Sequence, residues 1–274
     1  MNAQATTDCI KFRLTNLNIL FFLKSLGFIS QGHMNKFTQV LIQVFLIANL
    51  TLASIAQAQS VSDYLQTIAS PLRTEQDLRI DKTRKPLEML KFIQPKPGMK
   101  VLDIFSGGGY TAQLMNLAVG PSGKVWAFNT RPNQVLTDRL QMHPQSNLIP
   151  VVGTLNELLT DSNGLIDIVT IVNSYHDMVN ANPEIQITNK RIYDLLKPGG
   201  MLIIRDHEAK SGTGKSVTKT LHRIDPVSVT QDFESVGFRK IQEGDFLKNS
   251  ADSKEEHSSN NETGTQGFVF KFIK

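Results

Sequence analysis

The chain has one cysteine among 274 residues, Cys9, and it lies in an N-terminal stretch expected to be removed. For the remainder, this excludes disulfides, thiolate catalysis and cysteine-ligated zinc together. Excess charge is also scarce: 29 basic against 25 acidic residues leave a formal +4. No basic cluster interleaves with aromatics as a nucleic-acid groove requires, so nucleic acid is excluded as a partner. Imidazole and carboxylate from His176, His207, His222 and Asp206 could hold zinc or iron, but no two histidines stand at the i, i+4 spacing of a helical metal motif, and no metal is expected. There is no internal repeat.

Charge is missing altogether from Phe37 to Ser62, just after Lys36. The apolar centre Val40–Ile47 runs into small residues ending Ala56-Gln57-Ala58. A basic start, an apolar middle and an A-x-A exit read as a secretory signal peptide over 34–58, cleaved after Ala58, which places the protein in the periplasm or outside the cell. Gln43, Asn49 and Thr51 interrupt the run, which argues against a permanent membrane span. Met34 is read as the start and residues 1–33 as an extension. The alternative is that Met1 is the true start and Leu17–Ile29 a short amphipathic element. Cleavage leaves Gln59–Lys274, enough for one domain with a substantial core. Residues 59–95 read as a helical lead-in that covers the ligand, and residues 96–274 as the domain. Residues 249–267, dense in Ser, Asn, Glu, Asp and Lys, read as a disordered loop that cannot offset its ordering entropy by burial.

What is present is an alternation of apolar runs and helix-length segments. Lys100–Ala112 delivers an apolar run to Asp103, then Gly107-Gly108-Gly109, then a helix from about Thr111. Glycines there let the backbone approach a nucleotide-type ligand, and the helix start offers free N–H groups. Further strands are expected at Gly123–Asn129, Leu148–Val152, Asp167–Val172 and Met201–Ile204. The helix before Met201 is expected to run to Lys197 and break at Pro198-Gly199-Gly200. Gly237–Leu247 and Gly267–Ile273 have no helix between them and therefore pair antiparallel. The fold class is α/β: a doubly wound, Rossmann-like sheet of seven strands, mostly parallel, with an antiparallel last strand.

From about Leu78 onward the sequence resembles the class I S-adenosylmethionine-dependent methyltransferases, and most of all an exported bacterial group of unassigned substrate. The likeness rests on Asp103–Ala112, Leu196-Lys197-Pro198-Gly199-Gly200, Asp206-His207, Leu221–Pro226 and Gly237-Phe238, with Asp81–Pro86 and Lys96–Met99 ahead of them. It implies S-adenosylmethionine as cofactor, held by Asp103, Ser106, Gly107, Gly109, Asn129, Thr154 and Asn173, and a small-molecule substrate. Three positions depart from the family. Phe105 replaces the first glycine of acidic-x-Gly-x-Gly-x-Gly, and Asn129 replaces the acid that binds the ribose. Thr154 replaces the acid that often meets the adenine. Asn129 and Thr154 still hydrogen-bond, but without charge assistance.

The loops after the fourth and fifth strands hold Tyr175, His176, Asp206 and His207, and His222 and Arg223 follow a Gly/Ser/Lys loop. Methyl transfer needs an aligned nucleophile and often a base. Histidine suits the base near neutral pH, with His207 beside Asp206 first and His176 second. The three histidines are expected to face one cavity, under a flap at Ser211–Lys219 that brings Arg223 to the rim. Phe105 is expected to turn away from the cofactor cleft. Ala209–Ser216 matches a relaxed P-loop, but a short polar stretch follows where an apolar helix is needed. Gly107–Ala112 also satisfies G-x-G-x-x-A, the dinucleotide fingerprint, but lacks its ribose acid. Beside the methyltransferase stand two alternatives: an exported binding protein with a decayed cofactor site, and an NAD-binding oxidoreductase.

Overall fold

The computed structural model describes residues 63–157, 159, 161–260 and 264–274. The expected extension, signal peptide and cleavage site lie outside these residues. The strands are β1 (Lys100–Ile104), β2 (Lys124–Asn129), β3 (Leu148–Val152), β4 (Ile166–Val172), β5 (Leu196–His207), β6 (Arg239–Gly244) and β7 (Gly267–Ile273). The helices are α1 (Glu75–Arg84), α2 (Pro86–Ile93), α3 (Tyr110–Val119), α4 (Gln134–Met142), α5 (Tyr175–Ala181), α6 (Ile185–Leu195), α7 (Thr218–Leu221) and α8 (Pro226–Glu234).

The sheet order is β3-β2-β1-β4-β5-β7-β6. Only β7 is reversed, pairing antiparallel with both β5 and β6. A dinucleotide fold of order 3-2-1-4-5-6 has no such strand between its fifth and sixth. Side chains alternate across each strand, so each feeds two core layers. Val101, Val125, Ala127, Ile168 and Ile203 pack on one face, and Leu102, Ile104, Val169, Ile171, Phe270 and Phe272 on the other. Asp103, two residues from Val101, shares Val101's face at the carboxyl end of β1.

Two local expectations change. Helix α6 stops at Leu195, and β5 absorbs Lys197-Pro198-Gly199-Gly200 with a register shift opposite Ile166 and Ile168. Proline is tolerated there because it sits near the strand's start, at an irregularity. The second change concerns residues 249–260 and 264–267, which are tied down by charge rather than by apolar burial. Asp252 is buried, receives both terminal nitrogens of Arg223 at 2.7 and 3.0 Å, and accepts from the Gln266 and Lys254 amides. Among the described residues no helix is long and apolar enough to cross a membrane.

Candidate functional site

The site lies at the carboxyl edge of the sheet, where open α/β sheets bind ligands. A cleft of about 400 Å³ is lined by Asp103, Ser106, Gly107, Gly108, Asn173 and Ser174, with α1 contributing Asp77 and Arg84. Three buried polar atoms in it make no aligned hydrogen bond: Asp103 Oδ2, Ser106 Oγ and Ser174 Oγ. Asp103 Oδ1 accepts from Thr170 at 2.6 Å. Burial pushes the Asp103 carboxyl up to about 6, against Thr170, the nearby Ser106 hydroxyl and the Ala112 amide, which favour its charge.

The glycine turn follows from its backbone. Gly107 has φ +54, and a Cβ there would meet nothing within 4 Å, so its open side faces the cleft. Gly109 has φ +85 and caps α3, and a Cβ would lie 2.8 Å from Leu136 Cδ1. It is glycine for close packing and does not line the cleft. Phe105 holds φ +56. The left-handed conformation that suits a glycine is kept although the residue has changed, at a strain of about 1–2 kcal/mol. Rather than turning fully away, the Phe105 ring is partly buried against the core and forms a wall shared by this cleft and a neighbouring one.

Asn129 lies on the far side of that wall, not in the cleft with Asp103. Its amide is engaged with the turn: Oδ1 accepts from Gly107 N at 2.9 Å and Nδ2 donates to Gly107 O at 3.2 Å. Thr154 is exposed, donates to Glu157, and does not line the cleft. Asn173 lies at the cleft's edge in the left-handed region, φ +55, which asparagine tolerates.

Helix α1 lines one side of the cleft, and pairs that the sequence did not announce hold it there. Arg139 on α4 donates to both oxygens of Asp77 on α1, at 2.7 and 2.8 Å, and to Gly108 O at 3.0 Å. Burial opposes the Asp77 charge, yet Arg139 and the Thr74 amide hold its carboxyl below the usual range. Arg73 and Tyr110 both bond Asp81, which fixes the same helix from its other end. The signal available was Asp81–Pro86 as a lead-in; nothing marked Arg139.

On the other side of the cleft the histidines form a row. The rings of His176 and His207 lie 6.1 Å apart, those of His176 and His222 5.2 Å, and those of His222 and His257 4.5 Å. The rings of His176, His207 and His222 thus stand near one another, with His257 beyond His222, but of the four only His207 lines one of the cavities described here. Asp206 serves His176 rather than the ring of its sequence neighbour: Oδ1 meets His176 Nδ1 at 2.7 Å and Oδ2 accepts the His176 amide at 3.0 Å. Burial disfavours charge on His176, but Asp206 and Asp177 raise its pKa overall. His207 instead bonds Thr265 at 2.5 Å. Burial drives its pKa down to about 3, with Arg205, His176 and Arg84 acting in the same direction. It stays neutral at ordinary pH and is a weak base.

Two expected members are elsewhere. Tyr175 is fully buried, packs on Phe233 at 4.9 Å, donates to Asp232 at 2.8 Å and does not face the row. Arg223 is not at a rim but in the interior, paired with Asp252 and donating to the Glu256 and Glu208 carbonyls. The Ser211–Lys219 segment is likewise anchored, through Gly212 N to Asp225 and Thr218 to Asn180, and it delivers His222 but not Arg223.

A second cavity, of about 620 Å³, shares Arg84 and Asn173 with the cleft and is lined by Lys82, Lys85, Arg205, His207 and Lys248, with no carboxylate among the described residues of its lining. Arg205 is buried, bonds Asn173 and the Thr83 carbonyl, and leaves Nε unpaired. Burial, and then the neighbouring Arg84 cation, bring its pKa down to about 9.

The family model described as "Methyltransferase domain" matches residues 95–236. Among curated proteins, the ubiquinone/menaquinone biosynthesis C-methyltransferase of Laribacter hongkongensis is 28% identical over 109 residues, 40% of this chain and 43% of that protein. The demethylmenaquinone methyltransferase of Staphylococcus carnosus is 31% identical over 115 residues, 42% of this chain and 46% of its own length. The chain thus spans under half the length of these relatives. Among solved structures, a SAM-dependent methyltransferase from Aquifex aeolicus superposes with a TM-score of 0.54 at 16% identity, covering 71% of this chain and 92% of that one. An S-adenosylmethionine-dependent methyltransferase from Mesorhizobium loti gives 0.51 at 10% identity, covering 69% and 97%; both likenesses concern the fold. With the reversed β7, the glycine turn after β1 and a family match over more than half its length, the chain belongs to the methyltransferase-domain family of the class I S-adenosylmethionine-dependent superfamily.

Proposed function

We propose that the protein transfers a methyl group from S-adenosylmethionine to a small, anionic acceptor. The observation that carries this is the set of buried polar atoms around the glycine turn, Asp103 Oδ2, Ser106 Oγ and Ser174 Oγ, which line the cleft without an aligned hydrogen bond, since buried polar groups are normally fully paired. The residues fit the cofactor's amino-acid end. Asp103 Oδ2 suits its ammonium, Arg84 its carboxylate, and the open side of Gly107 admits close approach. The ribose end is less well provided, because Asn129 already holds Gly107. When bound, the cofactor supplies a methyl group activated by a sulfonium. The chain's own part is to orient the acceptor, to exclude water beneath α1 and to take up a proton at the histidine row.

The acceptor's charge is read from the second cavity. Two arginines meet at its boundary, one with an unpaired Nε, and among the described residues no carboxylate lines it. The hydrogen bonds of Arg205 go to neutral groups, the Asn173 side chain and the Thr83 carbonyl, so an anionic ligand complements the two cations. Incubation with methyl-labelled S-adenosylmethionine and pairs of small acids and their uncharged amides tests the reading, with label expected in the acids. Label confined to neutral or cationic acceptors would contradict it. Cofactor binding without transfer to any acceptor would support the binding-protein reading instead. We also propose export by the 34–58 segment, on the basis of its A-x-A exit. Mass spectrometry of the native protein should find Gln59 as its first residue, and retained residues before Ala56 would refute this.

A further inference from the structure

We propose that His176, Asp177 and His222 form a binding site for a zinc-like divalent cation. One donor atom from each of these residues lies within 4.8 Å of the other two. His176 Nε2 stands 3.4 Å and His222 Nδ1 3.3 Å from the same oxygen, Asp177 Oδ1. Ligands about 2.0–2.1 Å from a tetrahedral centre lie roughly 3.3 Å apart, so both spacings are those of neighbouring ligands. They are long for charge-assisted hydrogen bonds, which close to about 2.7–2.9 Å.

The surroundings of His176 point the same way. Its Nδ1 faces the buried Asp206 carboxylate at 2.7 Å, an acceptor that keeps the ring proton on Nδ1 and leaves the Nε2 lone pair for the cluster. A carboxylate behind a ligating histidine is the usual support of a metal site. His222 is held at φ +49, a left-handed conformation that few non-glycine residues adopt and that occurs at ligand clamps. This backbone turn carries its ring beneath His176. His257 is not a fourth ligand, because its Nδ1 accepts from the Ser259 amide at 3.2 Å and interacts with the Ser259 hydroxyl at 2.8 Å. Two histidines and one carboxylate leave a coordination position for water or for an oxygen of the acceptor, as in catalytic rather than structural zinc sites. Asp177 lines the cofactor cleft, so the ion would stand at its edge. Sequence spacing does not reveal the site, because His176-Asp177 and His222 are brought together by the chain's return through α7.

The test uses the metal alone, so its outcome does not depend on the methyltransferase reading. Untagged protein, stripped with chelator, is titrated with Zn²⁺ by calorimetry and with Co²⁺ by visible absorption. One equivalent of each per chain is expected, with the cobalt spectrum of a low-coordinate site, and Zn²⁺ should raise the melting temperature. Asp177→Asn and His222→Asn (asparagine tolerates the left-handed backbone) should each lower Zn²⁺ affinity at least tenfold. Asp206→Asn, behind His176, should lower it about 10–100-fold. His143→Gln, far from the row, should leave it unchanged. Circular dichroism of the metal-free variants establishes that each is folded, and Asp177, being 39% exposed, is the safest to change. Absence of saturable one-to-one binding, or equal affinity in wild type, Asp177→Asn and His222→Asn, would overturn the proposal.

Discussion

The two halves of the sheet's carboxyl edge are built on opposite plans. At β1–β3 the superfamily's usual marks have changed: Asn129 and Thr154 stand where acids are usual, Phe105 stands for a glycine, and Asp103 keeps its carboxylate. At β4 and β5 ionisable groups are concentrated and cross-braced, with Asp206 orienting His176, Asp177 between two imidazoles, and Arg205 beside Arg84. Recognition on the cofactor side thus depends on backbone shape and a few buried oxygens. The chemistry side depends on electrostatics. A protein that had lost its reaction would have little reason to keep the second half organised while the first half thinned.

The largest effect that would break this contrast is on the cofactor side. Arg139→Ala removes both bonds to Asp77 and leaves a buried carboxylate with the Thr74 amide but no paired cation, which should cost about 3–5 kcal/mol. In a domain of this size that is a fall in melting temperature of about 10 °C. Cofactor binding should be lost with it, since α1 would no longer be held to Gly108. An unchanged melting curve would show that the α1 cover contributes nothing to the fold.

Asp103 gives the next effect, and its sign depends on pH. Its folded pKa of about 6 lies above the ordinary 3.8, so its ionised form is disfavoured by folding. The favourable contribution of its protonated form is full below pH about 4 and disappears as pH rises through about 6. Asp103→Asn should therefore stabilise the unliganded protein at pH 7 by on the order of 2–3 kcal/mol, and by almost nothing at pH 4. Binding of an ammonium-bearing cofactor needs the ionised form and should weaken in wild type as pH falls below about 6. A pH-independent difference between the two proteins would contradict this role.

The smallest effect concerns Phe105. Phe105→Gly relieves about 1–2 kcal/mol of backbone strain and gives up the packing of a partly buried ring, so the melting temperature should move by only a few degrees. With the wall between the two clefts gone, S-adenosylmethionine should bind several-fold more tightly. A large fall in stability would identify the ring as core rather than wall.

Much of the fold was legible because it rests on patterns of period and punctuation. The apolar runs at Leu148–Val152 and Gly267–Ile273 became β3 and β7 without change, and the lack of a helix before β7 foretold its reversal. The nearness of His176 and His207 follows from adjacent parallel strands, which place their following segments side by side. Their partners were not legible. Asp206 stands next to His207 in sequence, yet alternation along β5 sends its carboxylate to His176 on the neighbouring strand's loop. Asn129 looked like a ribose ligand because its position is marked, but a neutral amide can both donate and accept, and it closed on Gly107 instead. Arg139, Arg205 and Arg223 carry no local signal, because an arginine reads as surface until a buried partner is known. Asp77, Asn173 and Asp252 are distant in sequence from the arginines they meet.

The central claim, a working cofactor cleft despite three missing marks, is tested most directly by calorimetric titration of the purified protein at pH 7.5 with S-adenosylmethionine, S-adenosylhomocysteine and NAD. The account predicts one-to-one binding of the first two, abolished by Asp103→Asn, and none of NAD. Binding of NAD, or of none of the three by a folded protein, would contradict it.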